Sequence, residues 1–296
     1  MSSSDQVPVI NSNHSLQKYY ASLESRVGYR LLLGGTRHFG YYEGSSWPFP
    51  ISKALRAMED HLFHTLGLDK GALALDAGCG VGHVAIHLAR KGLKVEGIDV
   101  VDRSLETAKQ NIAAAGLESA ISLQKMDYHH LDGYKDSTFE AVYTMETFVH
   151  ATDPEAAIRE FFRILKPGGR IASYEYHHIN LISAPPRLKD AIEKINNYAS
   201  MPSNARFDKG VHQKMLEEAG FQDVSVRDLT ANVLPMLKLF FILAYVPYLF
   251  VRLLGLEAWF VNTTAGVEGY RAKEYCKYMA VSARKPGQAG EGESET

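Results

Sequence analysis

Short apolar runs alternate with segments of helical periodicity between residues 72 and 178. The apolar runs predict five strands, which read ALALDAG, KVEGIDV, ISLQKMD, FEAVYTM and RIASYEY. The segments between them predict helices, which read HVAIHLARKG, SLETAKQNIAAAG and DPEAAIREFFRILKPGG. In the last helix, Asp153 is the expected N-cap and Pro154 lies in the first turn. This alternation predicts an α/β fold, a doubly wound Rossmann-like domain whose parallel sheet is covered on both faces.

Two segments interrupt the alternation. Residues 14–68 predict helices around an aromatic loop, RHFGYYEGSSWPFP, and are expected to form a cap over the site. Residues 233–261 are the most apolar part of the chain, but their core LFFILAYVPYLFV has only 13 residues and is expected to break at Pro247. A bilayer span needs about 20 residues. The segment is therefore expected to be a lid or an interfacial element, and not a transmembrane helix.

Two further strands are expected near the end of the chain, in FQDVSVRDLT and EYCKYMAVSARK, and no helix follows the second. The polar ends of the chain predict disorder. The expected divisions are a disordered arm over 1–13, a helical substrate cap over 14–68, a core domain over 69–232, an apolar lid or membrane-contacting insertion over 233–270, a final core strand over 271–285 and a disordered tail over 286–296.

Composition narrows the function classes. The chain has 296 residues, of which 46% are apolar and 22% charged, as in an ordinary globular protein. The formal net charge of −2 and a pI of about 6.6 predict no nucleic-acid partner. Cys79 and Cys276 are the only cysteines, so we expect a reducing compartment, the cytoplasm, and no disulfide scaffold. Nothing in the sequence has metal-ligand spacing, and we expect no metal.

A glycine-rich turn separates the first predicted strand from the first predicted helix. It reads LDAGCGVGH and has the pattern D-x-G-x-G-x-G, with Gly78, Gly80 and Gly82 after Asp76. A turn of this kind lets the backbone approach a ligand and directs a helix N-terminus towards it. The pattern differs from the G-x-G-x-x-G turn of dinucleotide-binding proteins.

Carboxylates occupy the ends of three successive predicted strands. Asp76 precedes the glycine turn, Asp99 ends the second strand and Asp127 ends the third. Asp76 is placed to meet a cationic group, Asp99 to accept from both hydroxyls of a ribose, and Asp127 to accept from an adenine amine. The set predicts a ligand that carries adenine, ribose and a positive charge.

With these residues, the region from Ala72 to Tyr176 resembles the core of class I S-adenosylmethionine-dependent methyltransferases. The resemblance implies a seven-stranded sheet with an antiparallel last strand, and S-adenosylmethionine as cofactor. It also implies that Asp76 and the glycine turn hold the methionine part, that Asp99 holds the ribose, and that Asp127 with Tyr128 holds the adenine.

The block DSTFEAVYTMETFVHATDPEAAIREFFRILKPGGRIASYEYHH is similar to sterol 24-C-methyltransferases, and tocopherol-type methyltransferases share much of it. GYYEGSSWPFP is loosely similar to their aromatic N-terminal motif. The similarity fades after residue 180, and His177 and His178 depart from the pattern. The sterol itself is therefore left open.

Methylation of an alkene requires a dry apolar cavity, aromatic faces for a transient carbocation and a base. Glu146 is the first candidate base because it follows the fourth strand, where ligands of open α/β sheets lie. His150 is expected to orient Glu146 or to act itself, and Glu43 is a further catalytic candidate. Glu175, His177 and His178 are the other candidates for the base. The expected substrate-binding aromatics are Tyr42, Trp47, Phe49, Phe148, Tyr174 and Tyr176. For each of these residues a purely structural role stays open, and His129, His130 and His178 are expected at the surface.

The sequence thus predicts a methyltransferase that acts on a lipophilic isoprenoid-type acceptor such as a sterol or terpenoid, by C-methylation of an alkene. O- or N-methylation of a lipophilic natural product is the first alternative. A non-catalytic lipid-binding or partner protein with the same fold is the second. Residues 233–261 leave open a peripheral contact with the endoplasmic reticulum or a lipid droplet.

Overall fold

The computed structural model describes residues 14–287. The predicted arm over 1–13 and most of the predicted tail lie outside the described residues. The proposed divisions of the chain stay predictions, and the structure gives the helices and strands within them.

One seven-stranded sheet, with the strand order β3-β2-β1-β4-β5-β7-β6, forms the centre of the molecule. The last strand, β7, is antiparallel to both β5 and β6, as the family resemblance implied. The strands are β1 (Leu73–Ala77), β2 (Lys94–Asp99), β3 (Ile121–Lys125), β4 (Phe139–Met145), β5 (Leu165–His178), β6 (Gln222–Asp228) and β7 (Cys276–Arg284).

Helices cover both faces of this sheet. They are α1 (His14–Ala21), α2 (Leu23–Leu33), α3 (Ile51–Leu66), α4 (His83–Arg90), α5 (Asp102–Ala115), α6 (Pro154–Ile164), α7 (Pro186–Tyr198), α8 (Val211–Glu218), α9 (Thr230–Leu253) and α10 (Val261–Arg271). Leu75 and Val142 pack with α6 and α8, whereas their neighbours Ala74 and Tyr143 pack with α3 and α4 on the opposite face. The predicted doubly wound α/β fold is confirmed, because successive strand residues bury alternate faces.

Helix α6 begins as predicted and ends earlier than predicted. The Asp153 side chain accepts a hydrogen bond from the backbone N–H of Ala156 at 2.8 Å, which is the expected N-cap. The helix ends at Ile164, and β5 starts at Leu165. The following Lys-Pro-Gly-Gly segment was expected to close the helix. It belongs to the strand instead, because Leu165 pairs with Phe139 of β4.

The expected break at Pro247 is wrong. Helix α9 runs without interruption through both Pro235 and Pro247. It lies against α10, where Gly266 allows close approach of Phe240 and Ala244. An interior proline removes one backbone hydrogen bond, yet the helix continues past both prolines. Among residues 14–287, α9 is long and apolar enough to cross a membrane, but its most apolar window is 28% buried, and a core helix of a soluble protein can meet the same criterion.

The two segments that interrupt the α/β alternation lie against each other. The Glu24 carboxylate on α2 accepts hydrogen bonds from the backbone N–H groups of Asn262 (3.0 Å) and Thr263 (2.6 Å), at the start of α10. Tyr19 on α1 donates to the Asn262 side chain at 2.8 Å. Helices α1 and α2 therefore lie against the start of α10, and together they enclose a space beside the carboxyl ends of the strands.

Candidate functional site

The glycine turn lies between β1 and α4. Gly78, Gly80 and Gly82 have φ angles of +102°, +53° and +83°, a region that favours glycine. A Cβ atom on Gly78 would lie 2.1 Å from Oγ1 of Thr147, so only glycine fits there. Gly82 packs against Ala108 of α5 and does not line the cavity described below.

The Asp99 carboxylate binds the glycine turn to the end of β2. Its Oδ2 accepts from the N–H of Gly80 and its Oδ1 from the N–H of Val101, both at 2.8 Å. Burial raises the pKa of Asp99, and the two backbone hydrogen bonds oppose this effect. Each carboxylate oxygen can accept a second hydrogen bond, so Asp99 can still bind hydroxyl groups of a ligand.

Asp76 carries a polar atom without a partner. Its side chain is 3% exposed, and Oδ2 makes no hydrogen bond within the described part of the chain. Burial raises the pKa of Asp76 to about 7. The Tyr143 hydroxyl opposes this effect. A buried carboxylate that is not paired with a cation is costly, and a ligand ammonium group would remove this cost. The orphaned oxygen, the glycine turn and Asp99 together fit the charged and hydroxyl groups of S-adenosylmethionine.

These residues surround a first cavity, which we call the cofactor cavity. Its lining includes Asp76, Gly78, Gly80, Asp99 and Tyr128. Asp127 lies behind this wall, where one carboxylate oxygen accepts from the backbone N–H (2.9 Å) and from Nδ1 of His129 (2.6 Å). Five of the seven predicted cofactor residues thus line one cavity, and Gly82 and Asp127 do not.

Glu146 follows β4 in a left-handed backbone conformation, with φ +55°. Its Oε1 accepts from the N–H of Phe39 (2.7 Å) and from the hydroxyl of Tyr278 (2.9 Å), and its Oε2 accepts from the hydroxyl of Tyr176. Burial raises the pKa of the Glu146 carboxyl, and these hydrogen bonds oppose it. Glu146 therefore joins the aromatic loop to β5 and β7.

His150 lies in a short 3-10 helix, Phe148–His150. Its Nδ1 donates to the carbonyl of Ser200 at 2.8 Å, so Nε2 accepts from the Tyr20 hydroxyl at 2.8 Å. Burial lowers the pKa of His150 to about 4, and the ring is neutral at pH 7. No hydrogen bond in the described structure joins His150 to Glu146. No direct contact therefore supports the predicted role of His150 in orienting Glu146.

A second cavity of about 410 Å³, the apolar cavity, adjoins the first. The two share the lining residues Tyr20, Arg37, His38, Glu146 and His150. Most of its wall is apolar and comes from α2, α7, α9 and α10, including Leu33, Ile192, Ile195, Val233, Leu237, Phe240, Leu243 and Val261. Cavities of this size and polarity are typical of sites for small lipophilic ligands.

Of the predicted substrate-binding aromatics, the structure places Tyr176 in the wall of the apolar cavity. Tyr42, Phe148 and Tyr174 are buried in core clusters. Tyr174, for example, lies two residues before Tyr176 on β5, where α3 covers it and where its hydroxyl contacts His61 Nδ1 at 2.6 Å. The other two aromatics, Trp47 and Phe49, are exposed on the aromatic loop and line neither cavity. The same is true of the catalytic candidate Glu43.

The structure also differs from the expectations for two histidines and one glutamate. The prediction that His129 and His178 lie at the surface is wrong, because their side chains are 4% and 3% exposed. Glu175 is fully buried, and its Oε1 accepts from the N–H groups of Thr147 (3.3 Å) and Phe148 (2.9 Å). Glu175 thus holds the loop after β4 rather than facing the cavities.

Sequence reasoning missed Arg37 and His38, which line both cavities. His38 Nε2 lies 3.2 Å from Oε1 of buried Glu59, and Nδ1 lies 2.9 Å from the carbonyl of Phe39. These two contacts fix the orientation of the imidazole ring. The position of His38 within the aromatic loop, with Glu59 on the apolar face of α3, was the signal available in the sequence.

Comparison with known proteins agrees with this geometry. Residues 75–173 match the protein family described as Methyltransferase domain. The S-adenosyl-L-methionine-dependent Diels-Alderase iccD of Talaromyces variabilis is 43% identical over 280 residues, 93% of this chain and 96% of that protein. The S-adenosyl-L-methionine-dependent Diels-Alderase iliD of a Neonectria species is 39% identical over 73% of this chain and 86% of that protein. A sterol 24-C-methyltransferase of Yarrowia lipolytica is 30% identical over 73% of this chain and 56% of that protein.

Solved structures share the fold at low sequence identity. The crystal structure of the 4+2 cyclase SpnF has a TM-score of 0.75 and 21% identity, and covers 95% of this chain and 97% of that chain. The cyclopropane synthase MmaA2 of Mycobacterium tuberculosis has a TM-score of 0.77 and 15% identity, and the match covers 95% of this chain and 100% of that chain. Together with the site, these similarities show that the chain belongs to the class I S-adenosylmethionine-dependent methyltransferase family and that its cofactor is S-adenosylmethionine.

Proposed function

We propose that this chain is a S-adenosylmethionine-dependent cyclase that catalyses an intramolecular Diels–Alder reaction of a lipophilic polyene. One observation carries the proposal: the 43% identity with the Diels-Alderase iccD extends over 93% of this chain. It therefore includes the cap helices and the α9–α10 segment that build the apolar cavity. The match with the sterol methyltransferase of Yarrowia lipolytica is less extensive, because it covers only 73% of this chain and 56% of that protein.

The site has the properties that such a reaction needs. In a Diels–Alder reaction a diene and an alkene exchange three π bonds for one π bond and two carbon–carbon σ bonds. No proton, electron or group enters or leaves, so the protein has to fold the chain into a reactive conformation and exclude water. The apolar cavity suits that task. Glu146 and His150, whose polar atoms are already hydrogen-bonded, suit positioning better than proton transfer.

Both the cofactor and the protein would supply positive charge near the reacting groups. Bound S-adenosylmethionine supplies a fixed positive charge beside the cavity, and also carries a transferable methyl group. Arg37 places further positive charge where the two cavities meet. A positive field lowers the energy of a transition state that accumulates negative charge on the electron-poor partner.

The experiment is an assay with linear polyenes that carry an activated alkene, in the presence of methyl-labelled S-adenosylmethionine. We expect a cyclised product of unchanged mass, no label in that product and no formation of S-adenosylhomocysteine. Removing the cofactor should abolish cyclisation, and Asp76→Asn should do the same. A product heavier by one labelled methyl group would contradict the cyclase assignment.

That outcome would support the second candidate, a methyltransferase acting on a lipophilic isoprenoid-type acceptor. The 30% identity with a sterol 24-C-methyltransferase and the intact cofactor cavity favour it. C-methylation of an alkene would leave the acceptor with a new carbon–carbon bond, whereas O- or N-methylation would leave an ether or an amine. Cofactor binding without either product, across both substrate classes, would favour a non-catalytic lipid-binding protein.

A further inference from the structure

The wall of the apolar cavity continues beyond Glu146 along two paired strands. In the antiparallel pair β5–β7, Tyr176 lies opposite Tyr278, and His178 lies opposite Cys276. Residues two apart on a strand share a face, so His178 and Cys276 lie beyond the tyrosine pair that binds Glu146. All four residues line the apolar cavity. His178 is thus placed at the end of β5, farther along the strand than the groups at the cofactor junction.

The His178 imidazole is buried without a hydrogen-bond partner. Its side chain is 3% exposed, and Nε2 has no partner within residues 14–287. Burial lowers the pKa of His178, and the charge of Asp208 opposes this effect only in part. Burial therefore favours the neutral ring, which presents one donor and one acceptor.

A neighbouring pair of asparagines supplies one more buried atom without a hydrogen-bond partner. Asn204 Nδ2 donates to Oδ1 of Asn196 at 2.7 Å, which leaves Oδ1 of Asn204 buried without a partner. The N–H of His178 donates to the carbonyl of Phe207 at 2.6 Å, which brings the segment Asn204–Arg206 beside the end of β5. Asn196 and Asn204 both line the cavity.

These unsatisfied atoms are confined to one part of the cavity. Among the described residues that line it, buried side-chain atoms without a partner occur on His178 and Asn204. At the cofactor junction, Glu146 and His38 already have partners. Buried polar atoms without partners are costly unless a ligand satisfies them.

We propose that His178, Asn196 and Asn204 form a receptor for the polar end of an amphipathic substrate, which we call the polar receptor. The group it would bind is neutral and contains both a hydrogen-bond donor and an acceptor, such as a primary or secondary amide. A carboxylate fits less well, because none of the three side chains supplies a compensating charge. The inference rests on the proposed function in that the apolar cavity holds the substrate. It adds that the polar end lies at the end of β5 and that the apolar chain extends towards the cofactor.

The test uses a pair of probes that differ in one group. Decanamide and methyl nonyl ketone have the same length and shape, but only the amide donates hydrogen bonds. Both compete with the fluorescent apolar dye N-phenylnaphthylamine for the full-length protein saturated with S-adenosylhomocysteine. The measured quantity is the ratio of the two dissociation constants, ketone over amide, in wild type and variants.

We expect His178→Phe to lower this ratio about fivefold to tenfold, the effect of one hydrogen bond. Asn204→Leu, an independent variant of similar shape, should lower the ratio by a similar factor. His178→Gln, which keeps a donor and an acceptor, should retain most of the ratio. The matched control is His64→Phe, the same substitution at an exposed position outside the cavity lining, and it should leave the ratio unchanged.

An unchanged ratio in both His178→Phe and Asn204→Leu would overturn the proposal, as would failure of both probes to displace the dye. Should one variant not fold, as judged by its melting curve, the other decides. The outcome is separate from that of the cyclase assay. A protein that shows the predicted selectivity but cyclises no polyene would refute the cyclase assignment and leave the polar receptor in place.

Discussion

At the scale of single residues, the acid after β4 illustrates how neighbours determine chemistry. The sequence identified Glu146 as a candidate base because of its place at a strand end. In the folded protein the carboxylate accepts from Phe39 N–H and from the hydroxyls of Tyr176 and Tyr278. Three donors from three different segments make Glu146 a clamp that shapes the junction of the two cavities.

A substitution separates the two roles. Glu146→Gln keeps one acceptor oxygen and the length of the side chain, so we expect turnover to fall by less than about tenfold. Loss of a general base would cost roughly 100-fold to 10,000-fold. Product formation is followed by mass spectrometry, with the exposed Glu43→Gln as the matched control. A loss of about 100-fold with unchanged cofactor affinity would identify Glu146 as a base.

Asp76 predicts how cofactor binding depends on pH. Burial raises the pKa of Asp76 to about 7, and the carboxylate form attracts an ammonium group. Affinity for S-adenosylhomocysteine should therefore decrease as the pH falls below about 7, by up to about tenfold per pH unit. Asp76→Asn should remove this pH dependence and weaken binding by about 100-fold. Calorimetry measures both effects, and a wild-type affinity that is constant from roughly pH 5 to 8 would contradict the assignment.

The same raised pKa has an opposite consequence for stability without cofactor. The folded protein holds the Asp76 proton more tightly than the unfolded chain, whose carboxyl has the usual pKa of 3.8. The stabilising contribution is therefore complete below about pH 4 and is lost as the pH rises through about 7. Asp76→Asn should make the cofactor-free protein more stable than wild type at pH 8, as measured by denaturant unfolding.

At the scale of elements, local capping predicted the start of α6, but the boundary between α6 and β5 was misplaced, because the strand expected from Arg170 begins at Leu165. Asp153 caps α6 as expected, because capping depends on residues three positions apart. The end of α6 and the continuity of α9 depended on tertiary partners instead. Leu165 pairs with Phe139 of β4, and α9 packs closely against α10 at Gly266.

Helix α9 leads to a prediction about lipid. Its exposed face carries large apolar side chains at helical spacing, among them Ile242, Val246, Phe250 and Leu253. We propose that this face contacts the surface of a membrane or lipid droplet. The wild-type protein should then sediment with phosphatidylcholine vesicles, and Val246→Ser with Phe250→Ser should reduce the bound fraction several-fold.

The control for this prediction is Ile182→Ser, which removes an apolar side chain that is 81% exposed elsewhere on the surface. It should leave vesicle binding unchanged. Binding that is equal in the double variant and in wild type, or a wild-type protein that stays in the supernatant, would leave α9 as a lid alone.

At the scale of the whole molecule, the apolar cavity exists because distant parts of the chain meet. Glu24 accepts from the N–H groups of Asn262 and Thr263, which are 238 and 239 positions away in the sequence. A carboxylate at the N-terminus of a helix is stabilising. The contact closes the wall of the cavity between α2 and α10, far from the glycine turn.

Glu24→Ala should therefore affect the two cavities differently. We expect a loss of about 1–2 kcal/mol in the free energy of unfolding and a several-fold weaker binding of apolar dye. Affinity for S-adenosylhomocysteine should remain within about twofold of wild type, because Glu24 does not line the cofactor cavity. Parallel dye titration and calorimetry measure the difference, and an equal loss of both affinities would contradict it.

The sequence by itself determined the order of strands and helices, the glycine turn and the acids at the strand ends. These features follow from local periodicity, and from the rule that the carboxyl ends of parallel strands meet at one edge of a sheet. Only the tertiary structure decided the partners of Glu146, the burial of His178 and the enclosure of the apolar cavity. The physical reason is that hydrogen-bond partners and burial depend on residues brought together from far along the chain, as Glu24 and Asn262 are. The cofactor could thus be inferred before the fold was seen, and the shape of the substrate site could not.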